Sequence, residues 1–189
     1  MARTAASPAP PAPASPRLPA RDRPRTLDAG EVPMPIDRLD SRLIALFADE
    51  PRIGVYEASR RLGVARGTVQ ARLDRLQRIG IITGFGPDVD TAALGYPVTT
   101  FVEIEIAQGS RSDLMTDELR AIPEVIEAHT ITGRSDLLVR VVAASNRDLQ
   151  RVVDQLVRVP GIERTSTLVV LDTPIPHRVI PLVEATPAD

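Results

Sequence analysis

The sequence predicts an α+β chain, an N-terminal winged helix-turn-helix followed by a C-terminal ferredoxin-like domain in the order βαββαβ. Three observations predict it. Apolar residues recur at helical spacing in three short segments after Ile36, with Gly63 between the second and the third. From about residue 98 strand-like runs alternate with two helical ones. Between residues 60 and 78 six arginines (60, 61, 66, 72, 75 and 78) stand against one acid, Asp74, in a chain whose net charge is only -2.

Residues 1–35 hold half of the chain's 18 prolines and no apolar periodicity, so they cannot repay the entropy of ordering and are expected to be a disordered tail. Its Arg17, Arg21, Arg23 and Arg25 are open to two readings, a solvated tail or loose contact with DNA phosphates. Ile36, Leu39, Leu43, Leu46 and Phe47 then mark the first helix, which Asp37 and Asp40 open in capping-box fashion and Pro51 closes. "VYEASRRL" fits the second helix and Gly63 the tight turn after it. The third helix covers roughly 66–78, with Val69, Leu73 and Leu76 on its apolar face and Gly80 at its end. "IITGFGPDV" is expected to form a short strand and turn, the wing, which brings this domain to 36–86.

A connecting segment, 87–97, leads to the second domain, 98–183, and residues 184–189 read as a C-terminal tail. Its strands are expected at 98–107, 124–133, 136–143 and 164–172, and its helices at 112–122 and 146–159. "DLLVRVV" and "TLVVL" are apolar on both sides, so the sheet needs a cover on the face its helices leave open. A second subunit is the simplest cover.

Composition narrows the chemistry. Without cysteine there are no disulfides, thiolate metal sites or cysteine nucleophiles, and no apolar run approaches the roughly 20 residues that span a bilayer. A cytoplasmic protein without cofactor or membrane contact is expected. A basic helix after a glycine turn is suited to the major groove of double-stranded DNA, where arginine forks meet guanine edges and phosphates. Arg66, Gly67, Thr68, Gln70 and Ala71 would face bases, with Arg72 and Arg75, a turn further on, at phosphates. The plain alternative is a solvated arginine-rich face.

The ordered set "IDRLDSRLIALFADEPR", "ASRRLGVARGTVQARLDRLQRIGIITGF", "VDTAALGYP" and "AHTITGRSDLLVRV" resembles the Lrp/AsnC (leucine-responsive/asparagine regulator) family of transcription regulators over about residues 36–183. The resemblance implies a ligand-sensing RAM domain at 98–183 and homodimers that pair sheet to sheet and often assemble into rings. It also implies an effector, typically an amino acid, bound between RAM domains. Thr132, Gly133 and Asp136 match the family's effector-binding turn, whereas Arg134 and Ser135 stand where many members carry other residues, one of them a tyrosine. Arg134 is either a partner for an effector carboxylate or an ordinary loop arginine. Many members carry Ser where this chain has Ala65, and losing that hydroxyl cap forfeits about 0.5–2 kcal/mol of local stability.

Two other functions remain open at this point. An effector-independent DNA-organising protein would have the same first domain. An enzyme similar to the sirohaem decarboxylases would need its histidines, here only His129 and His177, without a second ligand at metal spacing. No catalytic or metal-binding residue is therefore assigned.

Overall fold

The computed structural model describes residues 36–107 and 113–186. The expected N-terminal tail lies outside them. Helices α1 (Arg38–Asp49), α2 (Val55–Leu62) and α3 (Arg66–Arg78) form the first unit. Asp37 caps α1 through a reciprocal pair: its Oδ1 accepts from Asp40 N at 2.8 Å, and Asp40 Oδ2 accepts from Asp37 N at 3.3 Å. Gly63 turns the chain between α2 and α3 at φ 71°, a conformation that disfavours any residue with a Cβ. Ile36, Leu43, Ala58, Leu62, Val69, Leu73 and Leu76 close the core of this unit.

The wing is absent. Residues 81–89 form no strand; the N–H groups of Ile81 and Ile82 instead bond Leu76 O at 2.9 and 3.1 Å, finishing the last turn of α3. Gly84, Gly86 and Pro87 then interrupt any ladder, and Phe85 packs edge-on against Phe47 of α1 with ring centroids 5.8 Å apart. Asp90 organises the connecting turn by accepting from Ala92 N at 2.8 Å.

The second unit contains β1 (Val98–Ile106), α4 (Asp113–Arg120), β2 (Val125–Thr130), β3 (Leu137–Ala143), α5 (Asn146–Val157) and β4 (Ile162–Val169). The strands form one antiparallel sheet in the order β2-β3-β1-β4. Val102, Ile104, Val139, Val141 and Ala143 point to one face, where Met115, Leu119, Leu149, Val152 and Leu156 of the two helices bury them. The alternate positions, including Phe101, Glu103, Leu138, Arg140 and Leu168, lie on the other face, which no helix among the described residues covers. Leu168 is 51% exposed there.

A last helix, α6 (Ile180–Ala185), was not expected from the sequence, which placed a domain end at 183 and a tail beyond it. It packs on α1: Ser41 Oγ donates to Val183 O at 3.2 Å, and the Val183 side chain joins the core of the first unit. Among the described residues no helix is long and apolar enough to cross a membrane.

The docking of α6 sets apart two adjacent residues, half-buried Val183 and Leu182, which is 68% exposed. Val183→Asp should cost about 1–3 kcal/mol in urea denaturation, while Leu182→Asp should stay within about 0.5 kcal/mol. Equal effects would mean that α6 does not rest on α1.

Candidate nucleic-acid interface

α3 starts at Arg66 with Ala65 as its N-cap, and no side chain caps it. The backbone alone closes the first turn, Thr68 N donating to Ala65 O at 3.0 Å. Val69, Leu73 and Leu76 face inward, so Arg66, Gly67, Thr68, Gln70 and Ala71 are all left exposed on the outer surface. Five of the seven residues expected at DNA therefore share one accessible surface. Gln70 Nε2 donates to Asp74 Oδ1 at 2.8 Å, an i,i+4 pair that occupies part of its amide.

Arg72 and Arg75 sit differently. The sequence reading sends both to phosphates, but in the structure Arg72 Nη1 donates to Asp37 Oδ2 at 2.6 Å and to Asp40 Oδ1 at 2.8 Å, and Arg75 Nη1 donates to Asp40 Oδ2 at 2.8 Å. Asp40 is fully buried, whereas the two arginines keep about a quarter of their surface in solvent (27% and 28%). All four charged residues line one open cleft of about 620 Å³ together with Gly67, Thr68 and Ala71. Periodicity could not reveal this pairing, because the partners lie 32 to 35 residues apart. The signal present in the sequence was the acid pair Asp37 and Asp40 itself, which does double duty as helix cap and counter-charge.

In the second unit the turn between β2 and β3 carries Thr132, Gly133, Arg134, Ser135 and Asp136. Thr132, Gly133 and Arg134 are exposed, with Ser135 and Asp136 half-buried. Gly133 holds φ 129°, which a side chain would strain. Asp136 anchors the turn: its Oδ2 accepts from Ile106 N at 2.8 Å, its N–H donates to Ile104 O at 2.9 Å, and its carbonyl accepts from Ile131 N at 3.0 Å. The two histidines are both exposed, and His129 Nε2 lies 3.6 Å from Glu127 Oε2. Among the described residues no group of three or more His, Cys, Asp or Glu could hold a metal ion.

Burial works to raise the Asp37 carboxyl, but the Asp40 N–H and the hydrogen bond and charge of Arg72 outweigh it and hold the group below its ordinary 3.8. The partner shift is on Arg72, raised by its hydrogen bonds to Asp37 and Asp40. A carboxyl lowered in the folded state stabilises the fold above its unfolded value and loses that contribution as pH falls through the folded one. Asp37→Asn should therefore flatten the decline of thermal stability below about pH 4 relative to the parent chain. Parallel acid limbs in a melting series from about pH 6 to about pH 2 would remove Asp37 from the acid response.

The Lrp/AsnC ligand binding domain matches residues 99–180, and the AsnC-type helix-turn-helix domain matches residues 36–77. The regulatory protein AsnC of Escherichia coli is 31% identical over 147 residues, which is 77% of this chain and 97% of that protein. HTH-type transcriptional regulator FL11 of Pyrococcus horikoshii is 29% identical over 140 residues, 74% of this chain and 92% of FL11. The solved structure of E. coli AsnC superposes with a TM-score of 0.71 at 30% identity, covering 77% of this chain and 99% of AsnC. A feast or famine regulatory protein from M. tuberculosis, complexed with L-methionine, superposes at 0.67 with 26% identity over 75% of this chain and 96% of its own. These relatives are transcriptional regulators, and the enzyme reading built on His129 and His177 falls with that finding. The chain belongs to the Lrp/AsnC family of transcription regulators, with an AsnC-type helix-turn-helix and a ligand-binding domain in one polypeptide.

Proposed function

We propose that the protein is a sequence-specific, homo-oligomeric DNA-binding regulator whose DNA contact responds to an amino acid. The observation that carries this reading is the outer surface of α3, where Arg66, Gly67, Thr68, Gln70 and Ala71 are presented together after a glycine turn. Arg66 reaches guanine or phosphate oxygens, Gln70 reaches an adenine edge, and Gly67 and Ala71 let the backbone come close. The protein acts in the cytoplasm on double-stranded DNA. Two recognition helices in a dimer read half-sites one duplex turn apart or a multiple of it.

The uncovered sheet face supports the dimer. Phe101, Leu138 and Leu168 lie on it beside Glu103 and Arg140, and a second copy of the same face removes that apolar surface from water. Assembly of dimers into larger rings follows the family pattern. For the effector, the turn Thr132–Gly133–Arg134–Ser135–Asp136 supplies a hydroxyl pair and a cation suited to the carboxylate and amine of an amino acid. The relative complexed with L-methionine supports that class of ligand. Asp136 contributes mainly by holding the turn, since its carboxylate already accepts from Ile106 N. An effector acts by binding one assembly better than another, because equal affinity for both would shift nothing.

Fluorescence anisotropy with the chain's own upstream duplex and a scrambled duplex, across a salt series and with or without a pool of twenty amino acids, tests the reading. Preference for the upstream duplex that the pool alters is the expected result. Binding indifferent to the pool would favour a DNA-organising protein without effector, and the absence of binding at low salt would sink the DNA-binding reading. Arg66→Ala and Gln70→Ala should each reduce the preference between the duplexes about 5- to 150-fold, the effect of about 1–3 kcal/mol for a lost base contact.

A further inference from the structure

We propose that Asp40 is a positioning residue for DNA recognition, which withholds Arg72 and Arg75 from the DNA phosphates and uses them to fix the rotation of α3. The inference rests on the DNA-binding reading above and deepens it.

Asp40 has no exposed surface, and both of its oxygens are engaged. Oδ1 accepts from Arg72; Oδ2 accepts from Arg75 and from the N–H of Asp37. A carboxylate taken out of water in this way needs counter-charge, and two guanidinium groups three residues apart on one face of α3 supply it. With Asp37 on Arg72 the cluster carries two negative and two positive charges. It is electrically closed.

Geometry gives the cluster its second effect. Val69, Leu73 and Leu76 hold α3 against the core along one stripe, a contact that tolerates small rotations because apolar packing is not directional. Hydrogen bonds from Arg72 and Arg75 to one fixed carboxylate are directional, and they lie on the flank next to Gly67, Thr68 and Ala71, which line the same cleft. The pairs therefore fix which side chains the helix offers to bases. By contrast, no ion pair engages Arg66 among the described residues, and it is free to take a phosphate or base partner.

The consequence is countable. An arginine that exchanges water and counterions for a phosphate adds about 0.9 to the slope of log affinity against log salt, whereas one already neutralised by a carboxylate adds little. The full chain is titrated against the upstream and scrambled duplexes from low to moderate salt as the parent and as Arg66→Ala, Arg72→Ala, Arg75→Ala and Asp40→Asn. Arg66→Ala should lower the slope by about one. Arg72→Ala and Arg75→Ala should leave the slope unchanged while reducing the preference for the upstream duplex. Asp40→Asn, which removes the charge that Arg75 pairs with and leaves Arg72 on Asp37 alone, should steepen the slope on scrambled DNA by about one and reduce the preference as well.

A fall of about one in the slope for Arg72→Ala or Arg75→Ala would place these arginines on phosphates and overturn the proposal. So would an Asp40→Asn protein that melts earlier but keeps the parent slope and preference, since Asp40 would then be structural only. If Asp40→Asn does not fold, the two arginine variants decide by themselves. Parent protein that binds neither duplex would overturn the DNA-binding reading and this inference together, whereas parent binding with a lowered slope for Arg72→Ala or Arg75→Ala overturns only the inference.

Discussion

A buried carboxylate organises the first unit. Asp40 sits in the first turn of α1, where it completes the cap that starts the helix, and from there it binds two arginines of α3. A lone buried charge is too costly to keep, and an isolated pair of arginines on a surface helix has no fixed direction. Each half of the cluster thus supplies what the other lacks. The start of α1, the rotation of α3 and the outer surface made by Arg66, Gly67, Thr68, Gln70 and Ala71 are set by the same few hydrogen bonds.

The second unit obeys a different constraint. Strand residues alternate between two faces, and α4 and α5 bury only one of them. Position by position the register places Val102 and Ile104 toward the helices and Phe101 and Glu103 away from them. The open face is neither purely polar nor purely apolar, because Phe101, Leu138 and Leu168 share it with Glu103 and Arg140. Such a mixture suits a self-complementary contact, in which apolar rows bury area and charged positions fix the register.

Much of this was legible in the sequence because it depends on local signals. Helices α2 and α3 have the bounds that "VYEASRRL" and residues 66–78 suggested, since Gly63 and Gly80 punctuate them and the apolar spacing is clear. The sequence of elements along the second unit, βαββαβ, followed from alternation between period-two and period-3.6 segments. The failures share a physical reason. "IITGFGPDV" has strand-like composition, but a strand exists only with a partner, and here Ile81 and Ile82 give their N–H groups to Leu76. α6 is only six residues long with proline near its start, so its stability comes from α1 and not from its own sequence. The division of the arginines into free Arg66 and paired Arg72 and Arg75 was likewise hidden, because it depends on residues far away in the chain.

These long-range terms meet on α1. Ser41 takes the carbonyl of Val183 from α6, and the neighbouring residue, Asp40, takes the arginines of α3. The chain leaves the first unit after α3, builds the whole ligand-binding domain, and returns through α6 to the helix that orients α3. Residues 80–97, which contain no helix or strand, form the first connection and touch the first unit through Ile81, Ile82 and Phe85. The return of α6 adds a second tether at a point one residue from Asp40. Holding α1 from both sides links the helix that orients α3 to the end of the chain's second unit, and an isolated fragment of residues 36–86 would keep the Asp40 cluster but lose the contact of α6 with α1.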